Sequence, residues 1–288
     1  MFSKPAVWTI SLFLVFFTGD RLAGFWLKKQ TENSQFRYSR MYSGRGEADI
    51  LLVGNSRGLA FYQPYIEEIT GKSTYNISYN GMPVQLAKVL VADYLEKYPS
   101  KKTILIDITL CDRYNATLIA GFSTYLPYSH RLDTLIHGTS GDVWWGNQVS
   151  ALFRYNNEVF QRTMFYRNHS DEDWLIDRTI APALAATVPL DTFPVSVQPA
   201  LIQELTATVA LARSAGHTVH LIIGPYYPGM VKDWKNLENL KKTVEKSTGL
   251  SVYDFSQTLT DPADFGDLMH PNKQGAIHFG DLLRDTIF

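Results

Sequence analysis

The sequence predicts an α/β fold, a three-layer α/β/α sandwich with a central parallel sheet. Short apolar runs of strand length alternate with helix-length stretches from Asp49 onward, the pattern of successive βα units. The run Thr103 to Leu110 is apolar almost throughout, interrupted by Asp107, as a strand buried on both faces should be. A length of 288 residues, 45% of them apolar and 19% charged, is ample for one large α/β domain with a sizeable core.

In order, Asp49 to Val53 is the first strand, ending abruptly at Gly54. Leu59 to Thr70 reads as a helix closed by Gly71, and Thr74 to Tyr79 as a short second strand before an Asn80-Gly81 turn. Pro83 to Tyr98 suits a helix: proline is acceptable in a first turn, and Leu86, Val89, Leu90 and Tyr94 recur on one face. After the third strand the alternation breaks. An insertion of about 112–199 is aromatic-rich and irregular, is as long as about two βα units, and is expected to cover one rim of a site. The alternation then resumes. Leu201 to Ser214 and Asp233 to Ser247 are helices, His217 to Ile223 and Leu250 to Phe255 strands, and Asn272 to Thr286 a closing helix.

A formal net charge of -1 implies no polyanion-binding field, so nucleic acid is not an expected partner. The single cysteine, Cys111, excludes an intramolecular disulfide and reads as a small core residue. From Pro5 to Leu27 the chain is apolar except for Asp20 and Arg21. Its uncharged core, Ala6 to Gly19, is shorter than the roughly 20 residues a straight span requires. Leu22 to Leu27 completes that length if the two charges pair, snorkel or meet a partner helix. No small-x-small cleavage site follows, which favours an uncleaved anchor over a signal peptide. A buried helix of the folded domain is the remaining alternative. Residues 1–29 are thus expected to be a membrane anchor, 30–48 a polar linker and 49–288 the α/β domain. Basic residues flank both ends of the apolar stretch, so the positive-inside rule assigns no orientation.

The chemistry-bearing residues lie at two ends of this domain. In Gly54-Asn55-Ser56-Arg57-Gly58, a serine follows the first strand at the carboxyl edge where open α/β sheets bind ligands. In Asp267-Leu268-Met269-His270, a carboxylate and an imidazole stand three residues apart, with Pro271 favouring a helix start next. A serine hydroxyl is a poor nucleophile until a base takes its proton. Histidine suits that task, and a carboxylate on its second nitrogen fixes the tautomer. Parallel topology brings both segments to one sheet edge. Gly54 to Gly58 also fits the G-x-S-x-G nucleophile elbow, but the α/β-hydrolases place several strands before the nucleophile and take acid and histidine from separate loops.

The match is better to the SGNH (GDSL-like) hydrolase superfamily, whose domain is flavodoxin-like, and the resemblance runs from Asp49 to the C-terminal end. Gly54-Asn55-Ser56 resembles its first block, with Asn55 where aspartate is frequent. Asn76-Ile77-Ser78-Tyr79-Asn80-Gly81 resembles the second, and Asp267-Leu268-Met269-His270 the closing D-x-x-H. The third block departs: Asp107-Ile108-Thr109-Leu110-Cys111-Asp112 stands where Gly-x-Asn-Asp would. The resemblance implies a triad of Ser56, His270 and Asp267, with oxyanion donors at the Ser56 and Gly81 N–H groups. Asn115 and Thr109 are the candidates for the third donor, whose loss elsewhere costs about 10²–10³ in rate.

Within the superfamily, the apolar helix, the Gly-Asn-Ser-Arg start and the long insertion look like the membrane-anchored, DltD-like and polysaccharide O-acetylation branches. That likeness implies a single-pass bacterial inner-membrane protein with its catalytic domain facing the periplasm or the extracellular side. It also implies an acylated envelope polysaccharide as substrate and a multi-spanning MBOAT-type acyltransferase as partner, with Asp20 and Arg21 suited to such a partner. The expected activity is that of a serine esterase or O-acyltransferase, with no metal or diffusible cofactor. A catalytically weak or inert scaffold that binds glycan or assembles with a membrane acyltransferase is the alternative, and a dinucleotide domain is excluded because G-x-G-x-x-G is missing. Arg57, Asn55 and Tyr226 are expected to contact substrate, Arg57 equally suiting a salt bridge and the Tyr226 loop a plain turn. Trp144-Trp145 suits either sugar stacking or packing. His217 and His220, of opposite parity on a strand, are poorly placed to share a metal.

Overall fold

The computed structural model describes residues 4–170, 174–187, 197–230 and 236–288. In chain order these form α1 (Lys4–Asn33), α2 (Arg37–Tyr42), β1 (Ile50–Val53), α3 (Gln63–Thr70), β2 (Thr74–Asn76), α4 (Val84–Lys97) and β3 (Thr103–Asp107). Then come α5 (Ala116–Gly121), α6 (His130–Thr139), α7 (Gly141–Val149), α8 (Glu158–Phe165) and α9 (Pro182–Ala185). The closing part holds α10 (Pro199–Ser214), β4 (Thr218–Ile223), α11 (Leu237–Thr248), β5 (Val252–Asp254) and α12 (Lys273–Thr286). The start expected for the helix preceding β5, Asp233 to Lys235, lies outside the described residues.

The chain divides into two compact units, residues 46–115 with 172–288 and residues 1–45 with 116–171. The first is α/β. Its five strands are all parallel, in the order β2-β1-β3-β4-β5. Leu51 sits opposite both Tyr75 and Ile104, and Ile106 opposite Leu221. All four residues of β1 are buried, as are Ile104 to Asp107 of β3, which explains why these strands read as continuous apolar runs. Burial of each such aliphatic side chain contributes about 1.5–3 kcal/mol. Helices form two packed groups, α3 with α12 and α4 with α10 and α11. The chain winds one way from β1 to β2 and the other way from β1 to β3, so the strand order reverses between β1 and β3. That reversal is the topological switch point where open α/β sheets bind ligands.

Several elements are shorter than their sequence signals, where side chains take up backbone groups that would extend them. The helix expected from Leu59 begins at Gln63, after a 3₁₀ turn over Ser56–Ala60. Asn76 Nδ2 donates to the carbonyls of Gly58 and Phe61, and Pro64 fits only a first turn. The third strand stops at Asp107, whose carboxylate accepts from the Thr109 N–H and hydroxyl and starts another 3₁₀ turn, Ile108–Asp112. β2 is short, yet its pairing continues: Ile77 N–H donates to Leu52 O and Tyr79 N–H to Gly54 O.

The second unit is helical and combines the N-terminal segment with the first part of the insertion. The stretch expected to be a linker is folded instead. α1 continues to Asn33, and α2 buries Arg37, Tyr38, Ser39, Met41 and Tyr42. Its polar composition misled because its hydroxyls have buried partners. Ser34 Oγ donates to Thr163 O at 2.7 Å, and Ser39 Oγ lies 2.9 Å from the Tyr125 hydroxyl. α1 is long and apolar enough to cross a membrane, and most of its apolar side chains are exposed. Asp20 and Arg21 meet the insertion rather than requiring a separate helix. Asp20 accepts from Ser150 Oγ and the N–H groups of Ala151 and Leu152, and Arg21 donates to Val149 O.

Candidate active site

Ser56 opens the turn that follows β1, at the switch point. The close approach of the turn's two limbs requires its glycines: a Cβ on Gly54 would stand 2.6 Å from Gly58 Cα. Asn55 caps the turn, its Oδ1 accepting from Arg57 N–H at 3.0 Å. Its Nδ2 donates to the Thr109 carbonyl and hydroxyl, tying the end of β1 to the end of β3.

The late segment is an equally constrained loop. Phe265 and Pro271 form an antiparallel bridge, and Gly266 N–H donates to His270 O at 3.0 Å. Asn272 caps α12 through Gly275 N–H, while its Nδ2 holds Ala263 O. Within that loop, Asp267 Oδ1 accepts from the N–H groups of Met269 and His270 at 2.8 and 2.9 Å.

The two segments meet. His270 Nε2 lies 2.9 Å from Ser56 Oγ, and His270 Nδ1 lies 2.9 and 3.0 Å from the Asp267 carboxylate oxygens. Burial pushes the Asp267 carboxyl upward, but hydrogen bonds from the His270 ring and two backbone N–H groups outweigh it and hold it below its usual range. An ionised carboxylate only accepts, so in the neutral ring the proton sits on Nδ1 and Nε2 presents its lone pair to the Ser56 hydroxyl. All three residues are half-buried rather than sealed. This arrangement can activate a hydroxyl for attack on an electrophilic carbon.

Gly81 adopts φ +68°, a left-handed conformation that favours glycine. Asn115 Nδ2 donates to its carbonyl at 3.0 Å, bracing the turn. Thr109, the other candidate for the third block, is buried, with its hydroxyl donating to Asp107 and accepting from Asn55.

Asn55, Arg57 and Tyr226, expected to contact substrate, are 7%, 5% and 1% exposed. They lie beneath the site. The Arg57 guanidinium stacks 3.1 Å from the Tyr226 ring centroid and donates to the carbonyls of Gly224, Pro225 and Met269. Asp107 lies 3.9 Å from its Nε. One buried cation thus ties the Ser56 turn, the loop after β4 and the His270 loop together. The sequence signal was an arginine directly after the serine, but its direction was not legible.

The segment after the insertion's helical part also went unread as a site element. Trp174 packs on Tyr79 at 5.5 Å, Ile176 bridges Asn272, and Ile180 N–H donates to Phe265 O at 2.7 Å. It thereby braces both the Gly81 turn and the His270 loop. Other residues singled out by the sequence lie as follows. His217 is buried and accepts from Lys102 N–H; burial and Lys102 lower its pKa. Trp144 donates to Asp133, whereas Trp145 is exposed. No group of three metal-ligating side chains occurs among the described residues. Compared with protein-family models and with curated proteins, the chain matches none.

Proposed function

We propose that this chain is a membrane-anchored serine esterase or O-acyltransferase of the SGNH kind, its sheet and two helix groups forming a three-layer sandwich. The single observation that carries the reading is the continuous hydrogen-bonded line from Ser56 through His270 to Asp267. Ser56 Oγ attacks an ester or thioester carbonyl while His270 Nε2 takes its proton, and Asp267 stabilises the imidazolium. The N–H groups of Ser56 and Gly81 serve the tetrahedral oxyanion, with Asn115 the candidate for the third donor. His270 then returns the proton to the leaving group. The acyl group passes to water in an esterase or to a glycan hydroxyl in a transferase.

α1 anchors the protein in a bacterial inner membrane, with the catalytic domain on the outer side. The substrate is an acylated envelope polysaccharide, and an MBOAT-type acyltransferase supplies or shares the acyl group. These finer assignments rest on the sequence resemblance and on α1 being long and apolar enough to span.

A fluorophosphonate probe tests the chemistry. It labels the wild-type protein and leaves Ser56→Ala unlabelled. A folded, accessible wild-type protein that takes no label would favour the inert scaffold. Labelled acyl donor with candidate glycans then separates transfer from hydrolysis.

A further inference from the structure

The helical unit carries an exposed apolar patch that the proposed chemistry does not use. Trp145, Val149, Leu152 and Phe153 are 62%, 73%, 40% and 43% exposed. Trp145 and Val149 are four residues apart on α7 and share a face. The 3₁₀ turn Leu152–Tyr155 contributes the other two.

The position of this patch along α1 is fixed by four polar contacts. Asp20 holds Ser150 Oγ and the N–H groups of Ala151 and Leu152, while Arg21 holds Val149 O. Gly24 lies so close that a Cβ there would stand 2.5 Å from Ala151 Cβ. On the other sides of the helix Leu22, Phe25 and Trp26 are exposed, as are Phe16 and Phe17 one turn before Asp20, and Lys28 and Lys29 follow. Aromatic and basic residues of this kind mark a membrane–water interface. At 1.5 Å per residue, Asp20 to Gly24 lies roughly 6–12 Å on the apolar side of Lys28. Interfacial helices bury their apolar faces about 5–10 Å into the headgroup and acyl boundary.

We infer that Trp145, Val149, Leu152 and Phe153 form a second membrane-contacting surface, seated in the lipid boundary beside α1. The inference rests on the proposed anchoring role of α1. Non-helical backbone is tolerated at such depth only where its polar groups are satisfied within the protein. Here the 149–152 backbone and the Asp20 and Arg21 side chains satisfy one another. A polar face would be costly in this position, and of the five exposed residues between 145 and 153 only Gln148 is polar. The occupant is the lipid bilayer. The unit is then held at two points, which limits its rotation about the helix axis.

The test uses the full chain, reconstituted into phosphatidylcholine–phosphatidylglycerol vesicles, with a polarity-sensitive fluorophore at Leu14→Cys, Val149→Cys or Leu152→Cys. The native Cys111 is buried and its thiol is pushed up by burial, so it does not compete for label. Leu14 reports the span, and nitroxides deep in the acyl chains should quench it. Val149 and Leu152 should shift to the blue in vesicles and be quenched by nitroxides near the headgroup. If Leu14 is quenched while both patch positions respond only to aqueous iodide, the inference is overturned and the anchor stands; the face would then be open to a protein partner. If no position is quenched by lipid nitroxide, the anchoring reading and this inference fall together.

Discussion

At the residue scale, the site depends on which ring nitrogen of His270 carries the proton, and Asp267 decides that. Asp267→Asn keeps the shape but offers an amide where an acceptor-only carboxylate stood, so the ring is no longer held with Nε2 free. The expected loss in kcat is on the order of 10⁴, measured on any ester the wild-type protein turns over. The same residue makes stability depend on pH. Its folded-state pKa lies below its unfolded value, so the ionised group favours the folded state above about pH 4. That contribution fades as pH falls toward the folded-state value. Thermal melts should therefore show the wild-type Tm falling more than that of Asp267→Asn between about pH 5 and about pH 3. Gly81→Ala places a side chain on a left-handed residue at a cost of about 1–2 kcal/mol. Its Cβ would also stand 3.1 Å from Asn115 Nδ2. Slower labelling by the fluorophosphonate, with the chain still folded, is the expected outcome.

At the element scale, three loops at the carboxyl edge of the sheet are held by one guanidinium. Arg57 bonds the carbonyls of Gly224, Pro225 and Met269 and stacks on Tyr226. Arg57→Lys keeps the charge but loses the planar fork and the stack. Each buried carbonyl left without a donor costs about 1–3 kcal/mol. The variant should melt at lower temperature and lose kcat with KM little changed, because the His270 loop loosens while no substrate contact is removed. A change confined to KM would return Arg57 to the substrate-contact role that its burial opposes.

At the scale of the whole molecule, α1 has two parts with different work. Lys4 to Gly19 carries only exposed or half-buried residues, whereas Asp20 onward packs within the helical unit. Removing residues 1–19 should move the protein to the soluble fraction after carbonate extraction and leave its melting profile intact. Removing residues 1–33 also deletes the acceptors and donors for the 149–152 backbone. That truncation should expose this segment to proteolysis, and equal resistance in the two truncations would refute the division.

The sequence by itself determined the βα alternation, the parallel strands and both segments of the candidate site, because burial on two faces and local turn chemistry are written in contiguous residues. The serine turn and the D-x-x-H loop were legible for that reason. Direction and partnership were decided only by the tertiary structure. Arg57 and Tyr226 turn beneath the site because three carbonyls from distant loops converge on one cation. Residues 30–48 fold because serine hydroxyls find buried partners more than 80 residues away. The charges in the apolar helix, Asp20 and Arg21, are satisfied by backbone groups from the insertion. A polar residue's partner is set by long-range geometry, and local composition carries no record of it.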